Sequence, residues 1–165
     1  MYPAEMVAPY AKDLTDFGFR GLTTAAEVEE ALNTQGTVLV VVNAVCGCAA
    51  ANCRPAAKLS IQRDKNPDSL TTVFAGFDME AVNKARELML PYPPSSPSIA
   101  LFKNGKIVHM VERHEIEGRT AQMIAENLSE AYTKQCSNLF RKSFKKSLLS
   151  FFNKLFLYQA YSHSS

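Results

Sequence analysis

The chain is short of the features that mark several large protein classes. No apolar run approaches the roughly 20 residues that cross a bilayer as a helix. The first residues, Met1-Tyr2-Pro3-Ala4-Glu5, carry neither the basic nor the apolar region of a signal peptide. Four cysteines in 165 residues are too few for a disulfide scaffold. The expected setting is therefore the cytosol, where closely spaced cysteines are more often catalytic or metal-binding than structural. A large excess of one charge is also missing: 18 Lys and Arg face 16 Asp and Glu, a formal net charge of +2. Basic residues in the body of the chain are scattered among acids, so no nucleic-acid face is expected. The asymmetry lies at the end, where residues 137–165 hold Arg141, Lys142, Lys145, Lys146 and Lys154 and no acid. With 47% apolar residues the chain can fill one core and little more, which implies a single domain.

What the chain does have is a pair of thiols one residue apart. Cys46-Gly47-Cys48 follows directly on the apolar run of residues 37–45. Thiol-disulfide exchange needs an exposed thiolate to attack and a second thiol near enough to expel the resulting mixed disulfide. Two extended residues span at most roughly 7 Å, and a disulfide needs Cα atoms about 4.4 to 6.8 Å apart, so a modest bend closes the pair. Gly47, with no Cβ, is expected to supply that bend through a positive φ. The closed ring of about eleven atoms would be strained and easily reduced. The same thiols have a second chemistry. Cys46, Cys48 and Cys53 with His109, His114 or Cys136 offer four soft metal ligands, although the spacing matches no common zinc pattern. Redox exchange and metal binding or delivery both stand open on the residues alone.

Local patterns place this motif in a fold. Residues 6–16 read as a helix, with Gly18 and Gly21 marking its exit. Thr24-Ala25-Ala26-Glu27 fits a capping box that opens a helix ending near Asn33. Residues 37–45 are β-branched and apolar on both faces, the pattern of a central strand covered on both sides. A helix follows the thiols; one starting near Cys48 would be kinked at Pro55, whereas one starting near Asn52 would hold Pro55 in its first turn. Residues 70–75 form a second strand, and Asp78 is expected to cap a helix stopped by Pro91, Pro93 and Pro94. Asn104-Gly105, between residues 98–103 and 106–110, is a strong hairpin signal, since a type I′ turn needs positive φ at both positions. A final helix over residues 118–135 puts Ala121, Ile124, Ala125, Leu128, Ala131 and Tyr132 on one face. The expected fold is α/β and thioredoxin-like: a central mixed sheet, helices on both faces and a late β-hairpin.

Residues 97–105, Pro97-Ser98-Ile99-Ala100-Leu101-Phe102-Lys103-Asn104-Gly105, resemble the thioredoxin stretch in which a cis-proline opens the hairpin strand beside the redox cysteines. Ser96-Pro97 is thus the candidate cis bond. Four segments together resemble the bacilliredoxin family: Val45-Cys46-Gly47-Cys48-Ala49-Ala50, Val73-Phe74-Ala75-Gly76, Tyr92-Pro93-Pro94-Ser95-Ser96-Pro97-Ser98 and Glu112-Arg113-His114-Glu115-Ile116-Glu117-Gly118-Arg119. The resemblance covers residues 1–136. It implies a thiol-disulfide oxidoreductase that removes bacillithiol, or a similar low-molecular-weight thiol, from client proteins, with weak disulfide reductase or isomerase activity besides. No bound cofactor is implied; the small thiol is a co-substrate, and a separate reductant recycles the protein. Carried over, Cys46 attacks and Cys48 resolves, with Gly47, Ser96 and Pro97 on the substrate side. A helix N-terminus beside a thiol favours the thiolate, in keeping with that order.

The other candidates have plainer readings. Cys53 is expected as a small core residue, Cys136 as a bystander near a helix end and His114 as a solvated turn residue. In residues 137–165, Phe140, Phe144, Leu148, Phe151 or Phe152, and Leu155 recur at helical spacing among basic residues. Such a helix could lie on an anionic membrane, but a poorly ordered extension outside the domain is the simpler expectation.

Overall fold

A computed structural model of the chain describes residues 1–137. The basic, aromatic-rich segment and the expectations attached to it lie outside the described residues, apart from Ser137. The elements run α1 (Ala4–Thr15), β1 (Arg20–Gly21), α2 (Ala25–Leu32), β2 (Thr37–Asn43), a helical run through the thiols ending in α3 (Arg54–Ser60), β3 (Ser69–Phe74), α4 (Met79–Leu88), β4 (Ser98–Lys103), β5 (Lys106–Val111), α5 (Arg113–Ile116) and α6 (Ala121–Gln135). The strands form one sheet in the order β1-β3-β2-β4-β5. β1 and β2 run parallel to β3, while β4 is antiparallel to both β2 and β5.

The central position of β2 follows from its composition. All seven of its residues are buried, because successive side chains point to opposite faces and both faces are covered. Leu39 and Val41 join Ile99 and Leu101 against Ala56 and Ala57 of α3 and Ile124, Leu128 and Tyr132 of α6. Val38, Val40 and Val42 join Val73 and Phe102 against Val28 and Leu32 of α2 and Val82 and Ala85 of α4. Each such aliphatic side chain contributes about 1.5 to 3 kcal/mol when fully buried. The strand is thus anchored on both sides at the point where the chain turns toward the thiols.

Local signals govern several junctions. Thr24 accepts from the Glu27 N–H at 3.2 Å, while Glu27 Oε2 accepts from the Thr24 N–H at 3.1 Å, completing the expected capping box. Asn104 and Gly105 have φ of 51° and 80°, as the hairpin turn requires. The expected apolar face of α6 is buried at Ile124, Ala125, Leu128, Ala131 and Tyr132. Two short elements were absent from the sequence reading. β1 has only two residues, both exposed, and exists through pairing with Thr71 and Thr72 far along the chain. α5 is a single turn after β5, closed by reciprocal bonds between Glu112 and Glu115. Asp78 sits at the start of α4 but makes no side-chain capping bond. Burial raises its carboxyl pKa, against the lowering effect of the Phe74 backbone.

Candidate active site

The thiols follow the last residue of β2, and the start of the helix is built around them. Gly47 and Cys48 already lie in a helical turn, and the Cys46 carbonyl accepts the N–H groups of Ala49 and Ala50 at 3.1 and 3.2 Å. The run then widens to a π-helical turn over Ala49–Cys53, in which the Arg54 N–H reaches back to the Ala49 carbonyl. This resolves the position of Pro55, since a wide turn takes up the residue that cannot donate a helical N–H. Gly47 departs from expectation. Its φ is not among the positive ones, and a Cβ there would meet nothing within 4 Å. The chain bends by entering a right-handed helix at this point, which any L-residue can do.

All four cysteines are free thiols, and burial sorts them into two pairs. Cys46 and Cys48 are half-buried, whereas Cys53 and Cys136 are buried. The Cys48 thiol is pushed above its ordinary pKa by burial first, then by its hydrogen bond to Cys46 and by the charge that Cys46 carries when ionised. Arg113 and the Ala49 N–H pull in the opposite direction. Cys53 is pushed up to about 12 by complete burial, which outweighs the nearby Arg54. It packs in the core with Ala56 and Ala57, as expected of a small apolar residue. Among the described residues no three His, Cys, Asp or Glu side chains converge on a point that would hold a metal ion.

Strand register brings the second part of the site into place. Val42 of β2 pairs with Ser98 of β4, so the residues before Ser98 run alongside those after Val42. The Ser96-Pro97 bond is cis, as expected, and Leu90-Pro91 is a second cis bond. Pro97 is buried, while Ser96 and Cys46 line one cavity of about 210 Å³ together with Tyr2, Arg86 and Arg113. Arg113 is tied to the loop, its N–H donating to Ser95 Oγ at 2.8 Å and its Nη1 to the Ser96 carbonyl at 3.2 Å. His114, three-quarters exposed, lies 3.2 Å from Glu112, and His109 bonds Asn127.

Beneath the thiols lies a polar network. Asn43, fully buried at the end of β2, donates to the Tyr10 carbonyl at 3.0 Å and accepts from the Ala44 N–H at 2.9 Å. Arg54, only 3% exposed, donates from Nη1 to Asn43 Oδ1 and to the Ala44 carbonyl, both at 3.1 Å, and from Nε to Asp13 at 2.9 Å. Lys58 completes the pairing with Asp13 at 2.6 Å. Burial on its own raises the Asp13 pKa, but the bonds and charges of Lys58 and Arg54 outweigh it and leave the carboxyl below its ordinary value. The loop that carries Cys46 is therefore fixed from inside at Asn43 and Ala44.

A family model described as "Disulphide isomerase" matches residues 2–136. A bacilliredoxin of Cytophaga hutchinsonii is 55% identical over 132 residues, covering 80% of this chain and 98% of the relative. The chain belongs to the bacilliredoxin family. A bacilliredoxin of Halalkalibacterium halodurans is 48% identical over 136 residues, covering 82% of this chain and 94% of the relative. Among solved structures, thioredoxin from Malassezia sympodialis matches with a TM-score of 0.51 at 17% identity, over 72% of this chain and 90% of the other. Mitochondrial thioredoxin 3 of Saccharomyces cerevisiae matches with a TM-score of 0.50 at 17% identity, over 74% and 98%. These likenesses establish the thioredoxin-like fold. Bacilliredoxin membership makes the protein a thiol-disulfide oxidoreductase.

Sequence reasoning passed over several residues that shape this bacilliredoxin's site. Arg113 stands beside His114 in the segment of residues 112–119, where nothing local distinguishes the side chain that turns toward the thiols. Arg54 carried a usable signal: a charged residue between Cys53 and Pro55 in an alanine-rich helix needs a buried partner. Arg86 carried none, because its place depends on how α4 packs on the sheet.

Proposed function

We propose that this protein reduces mixed disulfides between client proteins and a low-molecular-weight thiol, with Cys46 attacking and Cys48 resolving. The observation that carries the reading is the contact between two half-buried thiols in which a charge on Cys46 opposes a second charge on Cys48. That opposition leaves one thiolate and one thiol, and the cavity that Cys46 lines supports Cys46 as the attacker. The Cys46 thiolate attacks the small thiol's sulfur, forming one S–S bond and breaking another, and the client departs as a thiolate that takes a proton from water. Cys46 is now neutral, so two of the effects holding the proton on Cys48 are gone, while Arg113 and the Ala49 N–H still favour its thiolate. Cys48 loses its proton and attacks Cys46, expelling the small thiol and closing the Cys46–Cys48 disulfide. The mixed disulfide gains two electrons, shared between the client sulfur and the small thiol; an external thiol reductant returns two electrons to the protein. Bacillithiol is the proposed co-substrate on the strength of the relatives' name, bacilliredoxin. The same exchange acting on client disulfides would supply weak reductase activity and the isomerase activity that the family description names.

The experiment presents a model protein carrying a bacillithiol mixed disulfide to wild type, Cys46→Ala and Cys48→Ala, and follows products by mass spectrometry. Cys48→Ala should accumulate the thiol adduct on Cys46, and Cys46→Ala should do nothing. If both variants perform like wild type, the proposal is wrong.

A further inference from the structure

The cavity beside Cys46 is lined by two arginines. Arg86, in the last turn of α4, lines it, and the Arg86 Nε is buried with no hydrogen-bond partner. A guanidinium keeps its proton throughout the accessible pH range and presents donors in a rigid fork, and an acceptor entering the cavity would pair with the part of Arg86 that lines it. Arg113 also lines the cavity. Its Nε is held by Glu117 at 2.6 Å and its Nη1 by the Ser96 carbonyl at 3.2 Å, which fixes the guanidinium beside the thiols. The N-terminal segment contributes to the same cavity through Tyr2, whose N–H bonds the Gly76 carbonyl at 2.9 Å. No carboxylate lines the cavity. Two guanidiniums, one of them paired with Glu117, and no carboxylate therefore line a space that opens onto Cys46.

We infer that Arg86 and Arg113 bind the carboxylate-bearing arm of the low-molecular-weight thiol while its sulfur is joined to Cys46. The inference rests on the exchange proposed for Cys46 and adds what the small thiol must carry. Arginine recognises a carboxylate through paired N–H groups, and such charge-assisted bonds are the strong ones. The cavity of 210 Å³ has room for roughly seven water-sized groups, which suits a short acid arm and is too small to enclose a nucleotide. A site built around an anion also discriminates against an uncharged thiol, because its arginines would then be left unpaired. Arg86 thus acts as a specificity residue, and Arg113 joins it while also favouring the Cys48 thiolate.

The test uses Cys48→Ala protein, in which the adduct on Cys46 is retained, and symmetrical small disulfides in place of a client. Bacillithiol disulfide and glutathione disulfide carry carboxylates, coenzyme A disulfide carries phosphates and hydroxyethyl disulfide is uncharged. In each case the Cys46 thiolate takes one sulfur and the other half departs as a thiolate that gains a proton. Adduct formation is followed by mass spectrometry as a ratio of rates, carboxylate reagent over uncharged reagent. Adding Arg86→Gln should lower that ratio by about tenfold, the effect of losing one charge-assisted bond, and Arg86→Lys should restore part of it. Raising salt should lower the ratio without Arg86→Gln, a measurement independent of whether that change disturbs folding. A ratio unaffected by salt and by Arg86→Gln overturns the inference, as does a larger arginine-dependent gain for coenzyme A disulfide than for the carboxylates. Selectivity without release of thiol from a client protein would leave the arginine site standing and sink the client function. Client release without selectivity would do the reverse.

Discussion

Cys48 and Cys53 lie five residues apart in one helical run, yet they occupy different chemical worlds. Cys48 sits half-buried in the first turn, where it touches Cys46 and feels Arg113. Cys53 is fully buried against the sheet, with its thiol pushed up to about 12. The difference arises from position on the helix relative to the sheet, since both are the same residue type under the same backbone geometry class. Reactivity here is a property of place. A thiol that neither ionises nor meets solvent behaves as a small apolar side chain, whatever its distance in sequence from a redox pair.

Alkylation separates the two thiols most strongly. Iodoacetamide on the native protein should label Cys46 and Cys48 while leaving Cys53 untouched until urea is added, because a pKa of about 12 against an ordinary thiol leaves roughly a thousandfold less thiolate. Peptide mapping would read this directly, and labelling of Cys53 alongside Cys48 would end the contrast.

The next largest effect concerns the support beneath the thiols. Asp13→Asn removes the carboxylate that Arg54 and Lys58 share and should cost about 2 kcal/mol in urea unfolding, the range for hydrogen bonds to charged groups. The pH dependence has a definite sign. The Asp13 pKa is lowered on folding from an ordinary 3.8, so its contribution is complete above that value and is lost as pH falls through the lowered one. The stability gap between wild type and Asp13→Asn should therefore be widest near neutrality and close in acid; a gap independent of pH would contradict the pairing.

Smaller effects belong to the core pair. Cys53→Ala should cost about 1 kcal/mol through the small void it leaves, with thiol exchange unchanged, whereas Cys48→Ala should alter stability by less than about 0.5 kcal/mol and stop resolution. Together these measurements would show stability and activity trading places between two thiols of one helix. Tyr132→Phe probes the same core, since the buried hydroxyl bonds Ser60 Oγ at 3.0 Å. Its loss should cost about 1 kcal/mol, seen as a lower urea midpoint with thiol exchange intact.

Much of this was readable in advance, for reasons that differ by element. The capping box at Thr24 and Glu27 and the turn at Asn104-Gly105 are contained in four residues or fewer, so chemistry next door decides them. The run through Thr37–Asn43 announces its burial by carrying apolar side chains toward both faces. By contrast, β1 exists only because Thr71 and Thr72 lie beside it, and nothing within residues 20 and 21 foretells that. Gly47 was misread for a related reason: an isolated glycine is compatible with several turns, and the helix begun by its neighbours settles which one forms. At the site, the pairing of Cys46 with Cys48 was legible and Arg54 carried a local signal, while Arg86 and Arg113 depend on how distant elements pack.

Cys46 and Cys48 stay within bonding reach in any fold, because one intervening residue limits their separation by covalent geometry. The sequence also determined a central strand leading to them and a hairpin downstream, because periodicity and turn chemistry are local. Only the tertiary structure decided that Cys46 meets a cavity while Cys53 does not, and that Arg86 and Arg113 converge on that cavity from separate helices. Burial and the electric field at a sulfur are sums over elements distant along the chain, and those sums exist only once the sheet has assembled.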